Sequence, residues 1–581
     1  MSPFTQKTSK KRLSIKDPVW GVIELFPWEK ELLNEKFFNR LHNVVQISSG
    51  FRVYPGLRHS RFLHSIGVLH VATQMFINAV KNTENSSGSA SGDDAPPGAW
   101  KQFLLENEKL TTPFKEGIPQ GEIDDFFDHA KLSNISKEYF VTFCVLRIGA
   151  LLHDIGHLPY SHILETAILA SLDDQGSKTK SKKITAAQIA IKKIVDAAGG
   201  AGSVKIHEKI GEKICLLLEY RSFSAHVMKY LIRSARNILH TEDFPLLSSL
   251  LVGDVDADRI DYVRRDGYFS GLYTSSVDYE RLFFSYGFAK YTVMENEGGK
   301  KEKFLAIPSS SAMAEAEKLI FERFLFYQKV VSHHRVHLFD EIMVRIVRIL
   351  IKAGDLEDFF KSVSDIFTLD ESDLKSHSHS DTSRINKIIE NLKYFFDDSW
   401  LDCQIRAAHR KSLVKWENGG GDIPDLVFLC DATYEDRRLL RGLHKGGENA
   451  KCRTEICDPT FGYMLSDCKF DLEKKVLEKF QKNIKFIIIG DMQHRLSVGI
   501  KSERMATYFG LGQLRVFLRG KLSKTPLFNA WYSLSKEYQA GLDKENSEEY
   551  SRKKLETLRS EIELFCIDYV RKQQSLPLVL T

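Results

Sequence analysis

The sequence has no run approaching the ~18 apolar residues that a bilayer-spanning helix needs. Its longest apolar stretches, Phe140–Leu152 and Ile484–Gly490, are short and are broken or flanked by charge, so no membrane span is expected. Lys10, Lys11 and Arg12 are not followed by an apolar stretch, so no secretory signal is expected there. Cysteine is scarce, 8 in 581 residues and irregularly spaced, which points to free thiols in a reducing, cytoplasmic compartment. Cys452, Cys457 and Cys468 come nearest to a zinc pattern. They lack the tight ligand pair such sites favour, and plain thiols are expected. An excess of one charge is also missing. The balance is 82 − 77 = +5, too mild to indicate nucleic acid by itself and compatible with small anionic ligands.

What is present is ordinary for a globular chain: 43% hydrophobic and 27% charged residues, with no internal repeat. The length is enough for roughly two to five domains. Residues 1–13 read as a basic, flexible arm. Low-complexity or polar stretches mark loops at Asn82–Gly98, Asp173–Lys183, Ala197–Ser203 and Glu371–Ser383, the last with alternating His377 and His379. Helices dominate residues 14–354. Tyr139–His153 is apolar and of helical length. Met313–Ala353 carries one helical pattern without proline or glycine, fitting one bent helix or two. Lys290–Ile307 reads as a hairpin, turning at Asn296, Gly298 and Gly299. Short strand-like runs, Leu426–Leu429 and Phe486–Ile489, then appear among further helices. The expectation is a mainly α chain: a helical core at 14–354, with insertions near 82–138 and 172–203, and a mixed α+β C-terminal lobe at 355–581.

His153 and Asp154 are adjacent within HDIGHLPYSH. Neighbours on a helix point about 100° apart, yet both can reach one ion set against the helix end. Imidazole nitrogen with carboxylate oxygen suits a divalent Mn, Fe, Zn or Ni ion. Two ligands hold an ion poorly. His64 in RHSRFLH and Asp258 in DVDADRIDYVRRD are the candidates to complete the set. Arg61 precedes His64 by three residues and shares its helix face. His157 lies one turn after His153. Asp258, Tyr262 and Asp266 form a stripe at i, i+4 and i+8.

These stretches resemble the HD-domain metal-dependent phosphohydrolases, and within them the deoxynucleoside triphosphate triphosphohydrolases. The resemblance is carried by DPVWGVIEL at Asp17–Leu25, FRVYPGLRHSRFLHSIGV at Phe51–Val68, HDIGHLPYSH at His153–His162 and DVDADRIDY at Asp254–Tyr262. It spans roughly Ile15–Ile346. It implies that His64, His153, Asp154 and Asp258 hold one divalent ion, with Mg also admissible and a further Mg accompanying the substrate. Arg61 then clamps phosphate, and His157, His162, Glu165 and His207 form the catalytic group. Tyr262 and Asp266 touch the sugar, while Gln46 and Ile47 flank it and disfavour a 2′-hydroxyl. Arg259, Arg323 and Tyr327 are further substrate contacts. The implied reaction is dNTP + water → deoxynucleoside + triphosphate, with dNTP-pool control or phage defence by nucleotide depletion as its setting. Relatives assemble, so a homo-oligomer is expected, with a regulatory nucleotide or protein partner. Where some relatives bind a guanine nucleotide through an acid and an arginine, this chain has Asn34, Asn39 and His42, so activation of that form is not expected. The metal quartet is shared with HD phosphodiesterases and nucleases, which remain alternatives. So does a non-catalytic nucleotide sensor or nucleic-acid binder using the basic arm Lys7–Lys16.

Overall fold

The computed structural model describes residues 13–88, 97–132, 135–173, 186–197, 206–253, 255–272, 276–294, 300–375, 383, 385–390, 397–420, 424–435, 453–456, 465–491, 528–534, 542 and 548–574. The basic arm through residue 12, His377, His379, Cys452 and Cys457 lie outside them. The fold is mainly α, with three small antiparallel sheets.

The chain enters through a hairpin, β1 (Leu13–Asp17) and β2 (Gly21–Leu25), paired from Leu13↔Leu25 to Asp17↔Gly21. Asp17 makes the turn, one carboxylate oxygen accepting the N–H groups of Val19 and Trp20, both at 2.8 Å. Gly21 supplies the positive φ of 80° that closes it.

Helix α1 (Arg61–Gly88) is the central beam. It packs against α2 (Phe140–Leu152) and, by way of Gly67, closely against α3 (Ala257–Ser270). Every residue of α2 is buried, including Arg147, whose guanidinium is paired with the buried Glu29. Most of α1 is apolar enough to cross a membrane by length and composition, a stretch the sequence reading passed over, but 78% of that window is buried inside the fold. Asp256 caps α3, accepting the Arg259 N–H at 2.6 Å, and Gly271 ends it with φ 74°.

Three sequence expectations are corrected. Asn82–Gly88 is not loop but the last turns of α1. Thr83 Oγ1 donates to the Ala79 carbonyl, and Asn82 Nδ2 reaches the carbonyls of Phe284 and Tyr286, so tertiary bonds override weak propensity. Glu371–Lys375 is a short helix within the expected loop, and Lys375 bonds Glu371 across its turn at 3.1 Å. Leu426–Leu429 is not a strand but part of the helix Asp425–Cys430, a short apolar run whose period could not separate the two. The region near 82–138 contributes core: Phe103, Phe114 and Phe126 are fully buried.

The hairpin pairs Tyr286–Met294 with Lys300–Pro308, as expected and slightly longer. The Met313–Ala353 pattern resolves into two helices, Met313–Phe326 and α4 (His334–Ala353), separated by a wide turn at Tyr327–Val331 and Ser332. Gly354, at φ 82°, ends α4. The following chain returns to the same hydrophobic core, which runs continuously from Ile23 to Cys566. Arg345 on α4 bonds Glu341 and Glu473, and Glu473 also accepts the Ile489 N–H at 2.6 Å. That ties helix Leu465–Phe480 and strand Ile484–Asp491 to α4. The strand belongs to a three-stranded sheet with Phe528–Leu534 at its centre and Arg453–Ile456 on the far edge.

Gly67 is where α1 lets α3 approach. A Cβ there would stand 1.9 Å from Asp261 Oδ1 and 2.3 Å from Arg265 Nη2. Gly67→Ala must therefore break the buried Asp261–Arg265 pair, and removing one side of such a pair costs about 3–5 kcal/mol. Chemical denaturation of metal-stripped protein should show a loss of about that size, and an unchanged midpoint would show that the helices can part freely here.

Candidate metal centre and histidine cluster

His64 is fully buried on α1, and both its ring nitrogens are engaged. Nδ1 meets Asp261 Oδ2 at 2.8 Å and Nε2 meets Asp258 Oδ1 at 2.9 Å. Asp261 is an acceptor held in place by Arg265 (2.8 and 3.0 Å) and by the Trp20 indole N–H. Arg265 is in turn bonded to Asp17 at 2.8 Å. This fixes the His64 tautomer with its proton on Nδ1, leaving the Nε2 lone pair for a ligand. His153, at the end of α2, is set the same way: Nδ1 lies 2.8 Å from the Ala150 carbonyl and Nε2 points inward, 3.3 Å from His64 Nε2.

Asp154 and Asp258 complete the group. His64 Nε2 is 3.6 Å from Asp154 Oδ2, and His153 Nε2 is 3.6 Å from Asp154 Oδ1 and 3.7 Å from Asp258 Oδ1. Donors about 2.1 Å from one ion stand roughly 3.0–3.4 Å apart; His64, His153 and Asp258 form a group that could hold a metal ion, and Asp154 borders it at slightly longer range. The protein's own electrostatics ask for a cation there. Burial opposes charge on His64, but Asp258 and Asp261 outweigh it and push its pKa up to about 10. Burial would raise Asp154 and Asp258, yet neighbouring histidines, and Arg61 at Asp154, hold both carboxyls far below the usual range.

Beside this set is a second cluster. His157 Nε2 is 3.1 Å from Asp154 Oδ1. Its ring stacks on His207 at 4.3 Å, and His162 packs edge-on to both. Glu165 bonds His207 Nδ1 at 2.8 Å and His162 Nδ1 at 3.1 Å. The two stacked histidines are driven apart. Burial and the Arg61 cation hold His157 neutral to well below the ordinary pKa. On His207 burial is opposed and overcome by the Glu165 carboxylate, which raises its pKa.

Arg61 donates through Nε to Ser161 Oγ at 2.9 Å and through Nη1 to Asp154, while Nη2 lies 3.4 Å from the Gln46 carbonyl. Gln46 Oε1 and His157 Nδ1 are buried without a hydrogen-bond partner, two polar atoms left for a ligand to satisfy. Arg323 donates to the Tyr262 hydroxyl and lies over the Tyr327 ring at 5.3 Å. Ile47 and Tyr327 share a small apolar cluster with Leu57, Phe326 and Val330. Two expected substrate contacts also have partners within the protein. Asp266 pairs with buried His59 at 2.7 Å, and Arg259 Nε lies 3.9 Å from Asp256. His42 stacks on Phe62 at 3.6 Å.

The sequence reading missed Asp261, Arg265, Trp20 and Arg40. Arg40 donates to the carbonyls of Ile155 and His157 and so grips the loop after His153-Asp154. The available signal for the first two was Asp258, Asp261 and Arg265 at i, i+3 and i+7, a polar stripe on a helix whose Ile260 and Val263 are core.

No known protein family's profile matches the chain. It is 26% identical over 270 residues to the uncharacterized protein MG461 of Mycoplasma genitalium, covering 46% of each chain. It is 25% identical over 281 residues to the deoxynucleoside triphosphate triphosphohydrolase SAMHD1 homologue of Dictyostelium discoideum, covering 48% of this chain and 40% of that one. The chain spans about half the length of the curated relatives it matches. A solved phosphohydrolase from Bacteroides thetaiotaomicron aligns with 90% of this chain and all of its own, at 15% identity and TM-score 0.47.

Losing one donor from a four-donor set removes much of an ion's binding energy. His153→Ala and Asp154→Ala should each purify with metal near background by elemental analysis while keeping their helical circular dichroism. Full metal content in either would place the ion elsewhere.

Proposed function

We propose that this chain is a metal-dependent phosphohydrolase that cleaves deoxynucleoside triphosphates at the α-phosphorus, releasing deoxynucleoside and triphosphate. The observation that carries the hydrolase reading is the pair of imidazoles presenting Nε2 toward two carboxylates, each fixed by a bond at Nδ1. The remote sequence likeness to a triphosphohydrolase supports the choice of dNTP.

His64, His153, Asp154 and Asp258 would hold the ion. When bound it supplies Lewis-acid charge and an acidified water. The chain's own residues do the rest. Arg61 is buried beside Asp154 and offers a guanidinium to the phosphates, whose charge must be neutralised for cleavage. Arg323, oriented by Tyr262 and Tyr327, offers a second. The leaving 5′-oxygen needs a proton. His207 is the better donor of the stacked pair, because Glu165 stabilises its protonated form while His157 is held neutral. Gln46 and Ile47, with Tyr262, would line the sugar side. Asp266 could reach a 3′-hydroxyl only by sharing its carboxylate with His59.

Purified protein incubated with each dNTP and NTP, with Mn or Mg and without GTP, should release deoxynucleoside and intact triphosphate. Nucleoside monophosphate plus pyrophosphate would overturn the reading and favour a phosphodiesterase.

The acid assignment has its own test. Glu165 raises the His207 pKa, so the protonated, active form persists to higher pH and is lost as pH climbs through that raised value. Glu165→Gln should move the alkaline limb of kcat/KM to lower pH and reduce the rate roughly tenfold to a hundredfold. An alkaline limb that stays in place would exclude His207 as the acid.

A further inference from the structure

Tyr160 and Ser161, between His157 and His162, have φ of 52° and 50°, the two positive-φ residues other than glycine among the described residues. Such a conformation is unfavourable for a residue with a Cβ and persists only when its surroundings over-determine it. The surroundings here come from far along the chain. Helix α5 (Asp398–Gly419) begins beside this turn, its first turn capped by Asp397, which accepts the Trp400 N–H at 2.8 Å. The Asp398 carboxylate is buried. One oxygen accepts the Tyr160 N–H at 2.6 Å and the other accepts the Val45 N–H at 3.0 Å. One helical turn on, Asp402 accepts the Tyr160 phenol at 2.7 Å and the Tyr434 phenol at 2.7 Å. Tyr160 is thus held at its backbone and at its ring tip by two carboxylates on one face of α5.

Both anchored points lead into the site. Val45 precedes Gln46 and is bridged to Ser60, the residue before Arg61. Ser161 holds Arg61 Nε, and Ser48 Oγ donates to the Tyr160 carbonyl at 2.9 Å. His162 begins the helix that carries Glu165. From this geometry we infer that Asp398, seconded by Asp402, is a positioning residue: it clamps the Gln46 segment to the Tyr160–Ser161 turn and so sets Arg61 and the histidine cluster for a polyphosphate ligand. His64 and His153 take their supports from outside this clamp, from Asp261 and the Ala150 carbonyl, and Asp154 meets it only through Arg61. The inference rests on the phosphohydrolase reading only for the turnover measurement.

The experiment uses the full chain as wild type, Asp398→Asn, Asp398→Ala, Asp402→Asn and Tyr160→Phe. Asn at 398 keeps the shape but sets an NH₂ against one of two amide donors, whereas Tyr160→Phe removes only the phenol bond. Three quantities are read: metal per chain, the Kd for inorganic triphosphate by calorimetry, and kcat and KM on whichever nucleotide the wild type cleaves. The Asp398 variants should keep wild-type metal content and bind triphosphate roughly tenfold more weakly or worse, with kcat reduced. Tyr160→Phe and Asp402→Asn should show smaller losses in the same direction. If the Asp398 variants do not fold, these two decide. Wild-type triphosphate affinity in every folded variant would overturn the inference, as would metal lost in step with triphosphate binding, which marks a merely structural role. A wild type that binds triphosphate but cleaves no nucleotide would sink the function reading and leave the affinity arm to judge the clamp.

Discussion

The orientation of one imidazole governs the centre, and a buried charge decides that orientation. His64 can offer Nε2 to an ion only while its Nδ1 proton has an acceptor, and Asp261 is that acceptor. A carboxylate with no exposed surface is costly unless paired, so Asp261 requires Arg265, and Arg265 requires Asp17 as well. Asp17 is also the residue that turns the first hairpin, so the N-terminal strands are locked to the metal centre through a chain of four side chains. Trp20 closes the same network from the hairpin loop, and Gly67 leaves the room in which Asp261 and Arg265 lie. The DPVWG stretch at the start of the chain is therefore chemistry at one remove.

The legible part of the fold was the part where local pattern and packing agree. Phe140–Leu152 is apolar but for Thr142 and the Glu29-paired Arg147, and became the buried helix that ends at His153. The Lys290–Ile307 hairpin carried both alternation and a glycine turn. The four candidate metal donors could be named because a dipeptide, a helical His and a helical Asp occur in an order that chemistry can use, and the fold brings them close together. Illegible features were those decided by distant partners. Asn82–Gly88 has poor helix formers, but Asn82 finds tertiary acceptors and Thr83 accepts a strand N–H from Phe288. Leu426–Leu429 is apolar and short, and only burial against the core made it helix. Asp266 reads as a free hydroxyl partner on its helix stripe, yet His59, more than two hundred residues earlier, takes its carboxylate. Asp398 carries no motif at all. Its position is defined by two backbone amides that no spacing rule could connect to it.

The chain beyond Gly354 looked like a different lobe because its composition changes there and the resemblance stops. Residues from several of its described helices, and Ile487–Ile489 of one strand, pack into the same apolar core as the residues before it. Glu473 shows how: buried beside Arg345, it satisfies a strand amide and a helix guanidinium with one oxygen. Such a contact fixes one element against another more firmly than apolar packing alone, because breaking it strands a buried charge. Unfamiliar sequence can thus be integral to a recognisable site.

Asp154 is where the three parts of the site meet. Its carboxylate lies 3.6 Å from the Nε2 of His64 and of His153, is bonded by Arg61, and stands 3.1 Å from His157 Nε2. A single anion so placed performs separable tasks. It would supply charge to an ion, it holds the guanidinium that would meet phosphate, and it bonds the neutral histidine that stacks on His207. A polyphosphate arriving at Arg61 would compete with Asp154 for the guanidinium and shift carboxylate charge toward the ion and His157. Under the proposed function, an ion and a polyphosphate would then influence each other through one side chain. The adjacency of His153 and Asp154 follows from the same geometry: the histidine must face the ion from the helix end, and only the next residue, about 100° further round, can face both the ion and the arginine.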